Sequence, residues 1–235
     1  MEGWRETEIG RSRRGVAIRA YLPPGPVTGL LVAGIHGEEP ETLLLARRLL
    51  ERIPGEAATM AILPCANPDG VLDGVRQNAA GVDLNRNYPA ASWRPDPSFT
   101  YPPGTPVRRR PHRTNRSSPG DGPGSEPETR AVVGLIESLA PSLVVDLHAP
   151  LELILVTGDV PAAVADELAA ASGLRIETDL GSPTPGALRD WCADRRLPAI
   201  TYEVEHAGLP ALCARHLPAL EALVRGPRSS RPRPG

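Results

Sequence analysis

The sequence predicts an α/β domain in which a mixed, largely parallel central sheet carries helices on both faces. Three observations predict it. Short apolar runs rich in Val, Ile and Leu alternate along the chain with longer stretches of helical periodicity. Most of those runs are continuously apolar rather than alternating, the pattern of strands covered on both sides. Polar and titratable residues gather where the runs end, at the edge where open α/β sheets place their ligands.

Taken in order, the first strands are expected at 16–22 and 29–35. A helix follows at 41–52, where Leu44, Leu45, Leu49 and Ile53 recur at three- to four-residue spacing and so bury one face. The next strand is expected at 59–63. From 93 to 125 the chain is rich in Pro, Gly, Ser and Arg, including Arg108, Arg109, Arg110 and Arg113. That composition cannot bury enough apolar surface to order itself, so a long surface loop is expected. Beyond it come a helix at 126–139, strands at 142–147 and 151–157, helices at 161–172 and 185–196, a strand at 199–204 and a helix at 209–224. Strands alternating with helices imply parallel neighbours. One catalytic domain is expected over 1–224, with a disordered tail at 225–235.

Composition excludes several function classes. The 235 residues suit one sizeable domain, and 26 basic residues, all of them arginine, against 28 acidic ones give a net charge of −2. That balance argues against a general nucleic-acid binder, which needs a surplus of positive charge. No run approaches the roughly 18 apolar residues that span a bilayer. The N-terminal stretch is polar and has no signal-peptide hydrophobic region. Cys65, Cys192 and Cys213 form no CxxC pair and no disulfide framework; they read as reduced, buried thiols. The expected location is the cytoplasm.

The predicted strand ends deliver His36-Gly37-Glu38-Glu39, Asn67-Pro68-Asp69-Gly70, His148 and Glu203 to one edge. His36 and Glu39 form an H-x-x-E pair, whose three-residue step brings both donors onto one side of a helical turn. The pair needs a third donor, and His148 fits it. A catalytic zinc keeps three protein ligands and one open position. Taken alone, His148 reads more readily as a hydrogen-bonded histidine at a strand end. Between these donors lies Gly81-Val82-Asp83-Leu84-Asn85-Arg86-Asn87-Tyr88-Pro89, preceded by Arg76. An arginine beside an asparagine suits recognition of a carboxylate, or else is a turn with polar residues on its surface.

As an ordered set, HGEE, NPDG, R-x-N-x-x-GVDLNRNYP, GSEPET, the distal His148 and TYE resemble the zinc carboxypeptidase family. Within it, PGSEPET and TPGALRDWCADRRLPAITYE are similar to the small bacterial branch of murein-peptide amidases. The resemblance runs from about Gly15 to Val224 and implies one zinc ion held by His36, Glu39 and His148. It implies that Asp83 orients His36, and that Arg76 stabilises the oxyanion of the tetrahedral intermediate. Asn85 and Arg86 would hold a substrate carboxylate, and Glu203 would be the general base and acid. Glu205 and Asp146 are the neighbouring acids, but only Glu203 aligns with the family's glutamate. The implied substrate is a small peptide with a free carboxylate, a murein tripeptide cut at its γ-D-glutamyl–meso-diaminopimelate bond. Alternatives are an N-acyl amino acid deacylase of the aspartoacylase and succinylglutamate desuccinylase kind, a carboxypeptidase acting on α-peptide bonds, and a silent relative that binds peptides. The lid-loop tyrosine of the larger digestive carboxypeptidases has no counterpart that can be placed between Gly181 and Glu203.

Overall fold

The computed structural model of the chain describes residues 1–96, 98–99 and 116–226. Most of the loop expected at 93–125 and nearly all of the 225–235 tail lie outside the described residues.

Eight strands form one sheet: β1 (Arg5–Arg11), β2 (Ala17–Leu22), β3 (Gly29–Val32), β4 (Met60–Leu63), β7 (Leu143–His148), β8 (Leu153–Thr157), β9 (Arg175–Glu177) and β10 (Ala199–Glu203). Two further short strands, β5 (Ser98–Phe99) and β6 (Arg116–Ser117), pair with each other. The sheet runs β1-β2-β4-β3-β7-β10-β8-β9. Its centre is parallel through β4, β3, β7 and β10, while β1–β2, β2–β4 and β10–β8 are antiparallel. The helices are α1 (Pro40–Arg52), α2 (Pro68–Asp73), α3 (Pro127–Leu139), α4 (Ala162–Ser172), α5 (Leu188–Asp194) and α6 (Leu209–Arg225). None of the described helices is long and apolar enough to cross a membrane.

The layers follow from the apolar runs. Leu31, Val145, Ile200 and Tyr202 face one way and pack with Leu45 and Leu49 of α1, Leu168 of α4, and Leu212 and Leu220 of α6. Leu30, Val32, Val144 and Ala199 face the other way and pack with Val132 and Ile136 of α3, and Leu188 and Trp191 of α5. Successive residues of one strand are thus buried on opposite faces, which is why these strands read as unbroken apolar runs. At about 25 cal/mol per Å² of apolar surface removed from water, these two layers supply most of the drive to fold.

The sequence reading missed β1 and β9, which lie at the two edges of the sheet. Both are mostly polar and partly exposed, and an edge strand needs no continuous apolar run. The helix expected at 185–196 is confined to Leu188–Asp194, and a short helix, α2, begins inside the NPDG motif. All three cysteines are free, as expected, but only Cys192 is fully buried; Cys65 and Cys213 are partly exposed. Burial pushes the Cys65 thiol up to about 11, so it is no nucleophile at neutral pH.

One contact locks the site-bearing turns together. A Cβ on Gly37 would stand 1.9 Å from the Gly70 carbonyl carbon, so the HGEE and NPDG turns meet backbone to backbone. Gly37→Ala forces these two turns apart. The expected cost is about 1–3 kcal/mol or more, read as a fall of the thermal midpoint. An unchanged midpoint would show that the two turns are not rigidly packed.

Candidate metal centre and active site

The turn after β3 is built by its own backbone and by α1. Glu39 N–H donates to the His36 carbonyl at 3.3 Å, and Pro40 occupies the first turn of α1. Thr42 Oγ1 accepts from Gly34 N–H at 3.1 Å and donates to the Glu39 carbonyl at 2.9 Å. His36 and Glu39 are thereby fixed three residues apart, both 2% exposed. His148 is the last residue of β7, also 2% exposed.

These three side chains converge. His36 Nδ1 lies 2.7 Å from Glu39 Oε1, His148 Nδ1 lies 3.0 Å from Glu39 Oε2, and the two Nδ1 atoms are 3.1 Å apart. Two imidazole nitrogens facing each other and one carboxylate, all buried, make a donor set that could hold a metal ion. Nitrogen and carboxylate oxygen are zinc's preferred non-sulfur ligands, so the residues fit that ion.

Each imidazole is gripped from behind. His36 Nε2 lies 3.1 Å from Asp83 Oδ1, and His148 Nε2 lies 3.0 Å from Asp146 Oδ2. A carboxylate at Nε2 keeps the proton there and leaves the Nδ1 lone pair free to ligate. Burial alone would raise the Asp83 carboxyl; the Arg76 guanidinium and His36 override it and hold it well below the usual range. Burial favours a neutral His148, but the Glu39 and Asp146 carboxylates hold its pKa well above the ordinary value. For Glu39, burial is likewise outweighed by His36 and His148, and its pKa is lowered. The negative field that would hold a proton here is the field a divalent cation requires.

Arg76 is buried, with Nε donating to Asp83 Oδ2 at 2.7 Å and Nη1 lying 3.5 Å from Glu39 Oε1. Asp83 also caps the short turn of Leu84–Arg86 by accepting the Asn85 N–H at 2.9 Å. Asn85 Nδ2 comes 3.3 Å from His148 Nε2, while its Oδ1 accepts Leu188 N–H at 2.9 Å. Arg86 is buried, and its Nη1 donates to the Asn85 carbonyl at 2.6 Å. Glu203 is in register with His148 on the adjacent parallel strand, so both side chains leave the same face of the sheet. Its Oε2 accepts Leu151 N–H at 3.2 Å. Burial raises the Glu203 carboxyl to about 7, with His148 opposing and Glu39 reinforcing.

His36, Glu39, Arg76, Asp83, Asn85, Arg86, His148 and Glu203 therefore gather at one edge, with Asp83 joining His36 to Arg76 and Asn85 reaching His148. Two of the acids weighed beside Glu203 have other partners: Asp146 stands behind His148, and Glu205 Oε2 lies 2.7 Å from His216 Nε2. Sequence reasoning missed the service of Asp146 to His148, although Asp146 and His148 are two apart on a strand and so share a face. It placed Asn67 at this edge but gave it no role. This buried residue caps α2 by accepting Gly70 N–H at 2.9 Å, and donates to the carbonyls of Ile35 at 3.1 Å and Arg76 at 3.4 Å. Its place before Pro68 is the signal that could have found it.

A buried two-histidine, one-carboxylate donor set, at the strand ends of an α/β sheet and beside a glutamate, is an arrangement that a single-metal hydrolase uses. The chain belongs to the zinc carboxypeptidase family, whose model matches residues 7–172. It is a zinc metallopeptidase and takes one zinc ion. Its similarity to murein peptide amidase A of Escherichia coli strain K12 is 34% identity over 226 residues, covering 92% of this chain and 88% of that one. The same protein of Vibrio campbellii is 34% identical over 225 residues, covering 93% and 87%. The crystal structure of the murein-tripeptide amidase of Escherichia coli O157 superposes with a TM-score of 0.86 at 32% identity, covering 98% of this chain and all of that one. Thrombin-activatable fibrinolysis inhibitor shares the fold, with a TM-score of 0.70 at 17% identity, over 94% of this chain and 68% of the other.

Proposed function

We propose that the chain hydrolyses the γ-D-glutamyl–meso-diaminopimelate bond of murein tripeptide, with His36, Glu39 and His148 as the zinc ligands. The observation that carries the hydrolytic chemistry is the closed triangle of His36 Nδ1, Glu39 and His148 Nδ1, with Glu203 in register beside it. The substrate rests on similarity to murein peptide amidases over nearly the whole chain. When bound, zinc polarises the scissile carbonyl and brings the pKa of water toward about 7.

The chain's own residues do the rest. Glu203 takes the proton of the attacking water and returns it to the leaving amine of diaminopimelate. Its raised pKa suits both halves of that exchange. Arg76, anchored by Asp83 through Nε and with Nη1 3.5 Å from Glu39 Oε1, brings its guanidinium charge to the oxyanion that develops on the former carbonyl. Asp83 and Asp146 hold the two imidazoles in the tautomer that ligates. Asn85 and Arg86 receive a carboxylate of the diaminopimelate. A role in recycling imported cell-wall peptide, in the cytoplasm, follows from that substrate.

The test is mass spectrometry of zinc-loaded protein incubated with L-Ala-γ-D-Glu-meso-diaminopimelate. Free diaminopimelate that ceases to appear on adding a chelator supports the reading. Intact tripeptide in the presence of stoichiometric bound zinc overturns the substrate and directs the search to α-peptides and N-acyl amino acids.

A further inference from the structure

The backbone of Glu203 is fixed by the sheet, but its carboxylate is not. Glu203 pairs with His148 on one side and Leu153 on the other, so its Cα has ladder neighbours in both directions. The orientation of the carboxylate depends on Leu151 N–H, which donates to Oε2 at 3.2 Å. Leu151 lies between β7 and β8, in a stretch outside the ladder.

That stretch is held at its backbone by Ala149 N–H, which donates to Glu39 Oε2 at 3.3 Å, and by Arg175 Nη1 of β9, which donates to the Glu152 carbonyl at 3.3 Å. The Glu152 side chain is held from α6. Arg215 Nη1 lies 3.2 Å from Oε2 of Glu152, the residue after Leu151, and 3.1 Å from Oε2 of Glu205, two residues after Glu203. Arg215 Nε donates to the Ser172 carbonyl at 2.9 Å, which fixes the direction of the guanidinium. Glu205 is held in turn by the fully buried His216, whose Nε2 is 2.7 Å from Glu205 Oε2 and whose Nδ1 is 2.9 Å from the Tyr202 hydroxyl. Tyr202 immediately precedes Glu203. One turn of α6 thus reaches the residue before the glutamate, the residue two beyond it, and the neighbour of its hydrogen-bond donor.

The plainer reading is a surface ion pair beside a satisfied core histidine. The Arg215 and Glu152 side chains are 33% and 51% exposed, and such pairs contribute little to stability. That weakness separates the two readings, because it predicts a negligible effect wherever only stability is at stake. A group that aims a proton acceptor acts through distance and angle, where a displacement of about 1 Å can cost up to about 10²-fold in rate.

We propose that Arg215 is a positioning residue for the general base: by holding Glu152 and Glu205 together it sets the Leu151 N–H that aims the Glu203 carboxylate. The proposal rests on the reading of Glu203 as the base. It assigns a part in catalysis to a helix that contributes no side chain to the metal centre.

The test compares Arg215→Met, Arg215→Lys and Arg52→Met in the zinc-loaded full chain. Arg52, at the end of α1, pairs with Glu221 of α6, so its variant controls for loss of an ion pair on α6. Arg215→Met is expected to lower kcat on the tripeptide about tenfold, within what misplacement can cost. KM, thermal midpoint and zinc stoichiometry should stay unchanged. Amide hydrogen exchange at Leu151, measured without substrate, should speed up in Arg215→Met and not in Arg52→Met. Lysine, which can pair with the carboxylates but has no second nitrogen to donate to the Ser172 carbonyl as Nε does, should restore part of both effects. A kcat within twofold of wild type overturns the proposal, as does unchanged exchange at Leu151. A loss of kcat that tracks a lowered thermal midpoint or lost zinc also overturns it, by making the role structural. Failure of the wild type itself to turn over the tripeptide refutes the substrate instead. The exchange measurement then still decides whether Arg215 orders Leu151.

Discussion

Replacing Glu203 by glutamine is expected to lower kcat on the tripeptide by about 10²–10⁴-fold while one equivalent of zinc is still bound. The substitution is nearly isosteric, and an amide oxygen can accept Leu151 N–H as the carboxylate does. The side chain therefore keeps its place at the end of β10, in register with His148. What it loses is the capacity to take a proton from water and hand it to the leaving amine. The carboxylate is buried, which raises its pKa to about 7 and matches a group that must both accept and donate near neutrality. Steady-state kinetics and zinc analysis of the same preparation check the prediction together. Turnover near that of the wild type removes Glu203 from the proton path. Loss of zinc along with activity would mean that the glutamate supports the metal centre rather than the reaction.

How much of this was legible in the sequence varies with the kind of constraint. The central strands were readable because burial on both faces leaves no polar residue among Gly29–Val32 or Met60–Leu63. The edge strands were not, since β1 needs only one face covered and its RETEIGR segment reads as a polar terminus. His36 and Glu39 announce themselves by spacing, because a tight turn brings residues three apart onto one side. His148 is 112 residues further along the chain, and only the β3–β7 pairing carries it to them. Asp146 was visible but misjudged: its proximity to His148 in sequence was clear, whereas its orientation toward Nε2 is a property of strand geometry. The link from Arg215 through Glu152 and Leu151 to Glu203 spans three separate segments and has no local signature. Residues that touch the metal or the substrate can be found by their chemistry. Of the residues that act through others, Asp83 was found by the motif it sits in, whereas the parts of Asp146 and Arg215 become visible only once the chain has folded.

His148→Ala is expected to abolish tight zinc binding and with it all turnover. Zinc at about a thousand times its dissociation constant stabilises the native state by about 4 kcal/mol, which in a domain of this size is roughly 8–16 °C in thermal midpoint. The wild type should show that rise on adding zinc and the variant should show none. The two donors that remain, His36 and Glu39, fall short of the three protein ligands that a catalytic zinc requires. Asp146 cannot step in, because it contacts the opposite nitrogen of the missing ring and stands behind it. Without the imidazole between them, the Glu39 and Asp146 carboxylates also share a buried site with less positive charge to offset them. The variant should therefore melt lower than the wild type even in the presence of chelator, so the absolute midpoint of the variant does not report on metal. The zinc-induced shift does. A shift of wild-type size in His148→Ala would exclude His148 as a ligand and leave the convergence of the two Nδ1 atoms without a metal to explain it.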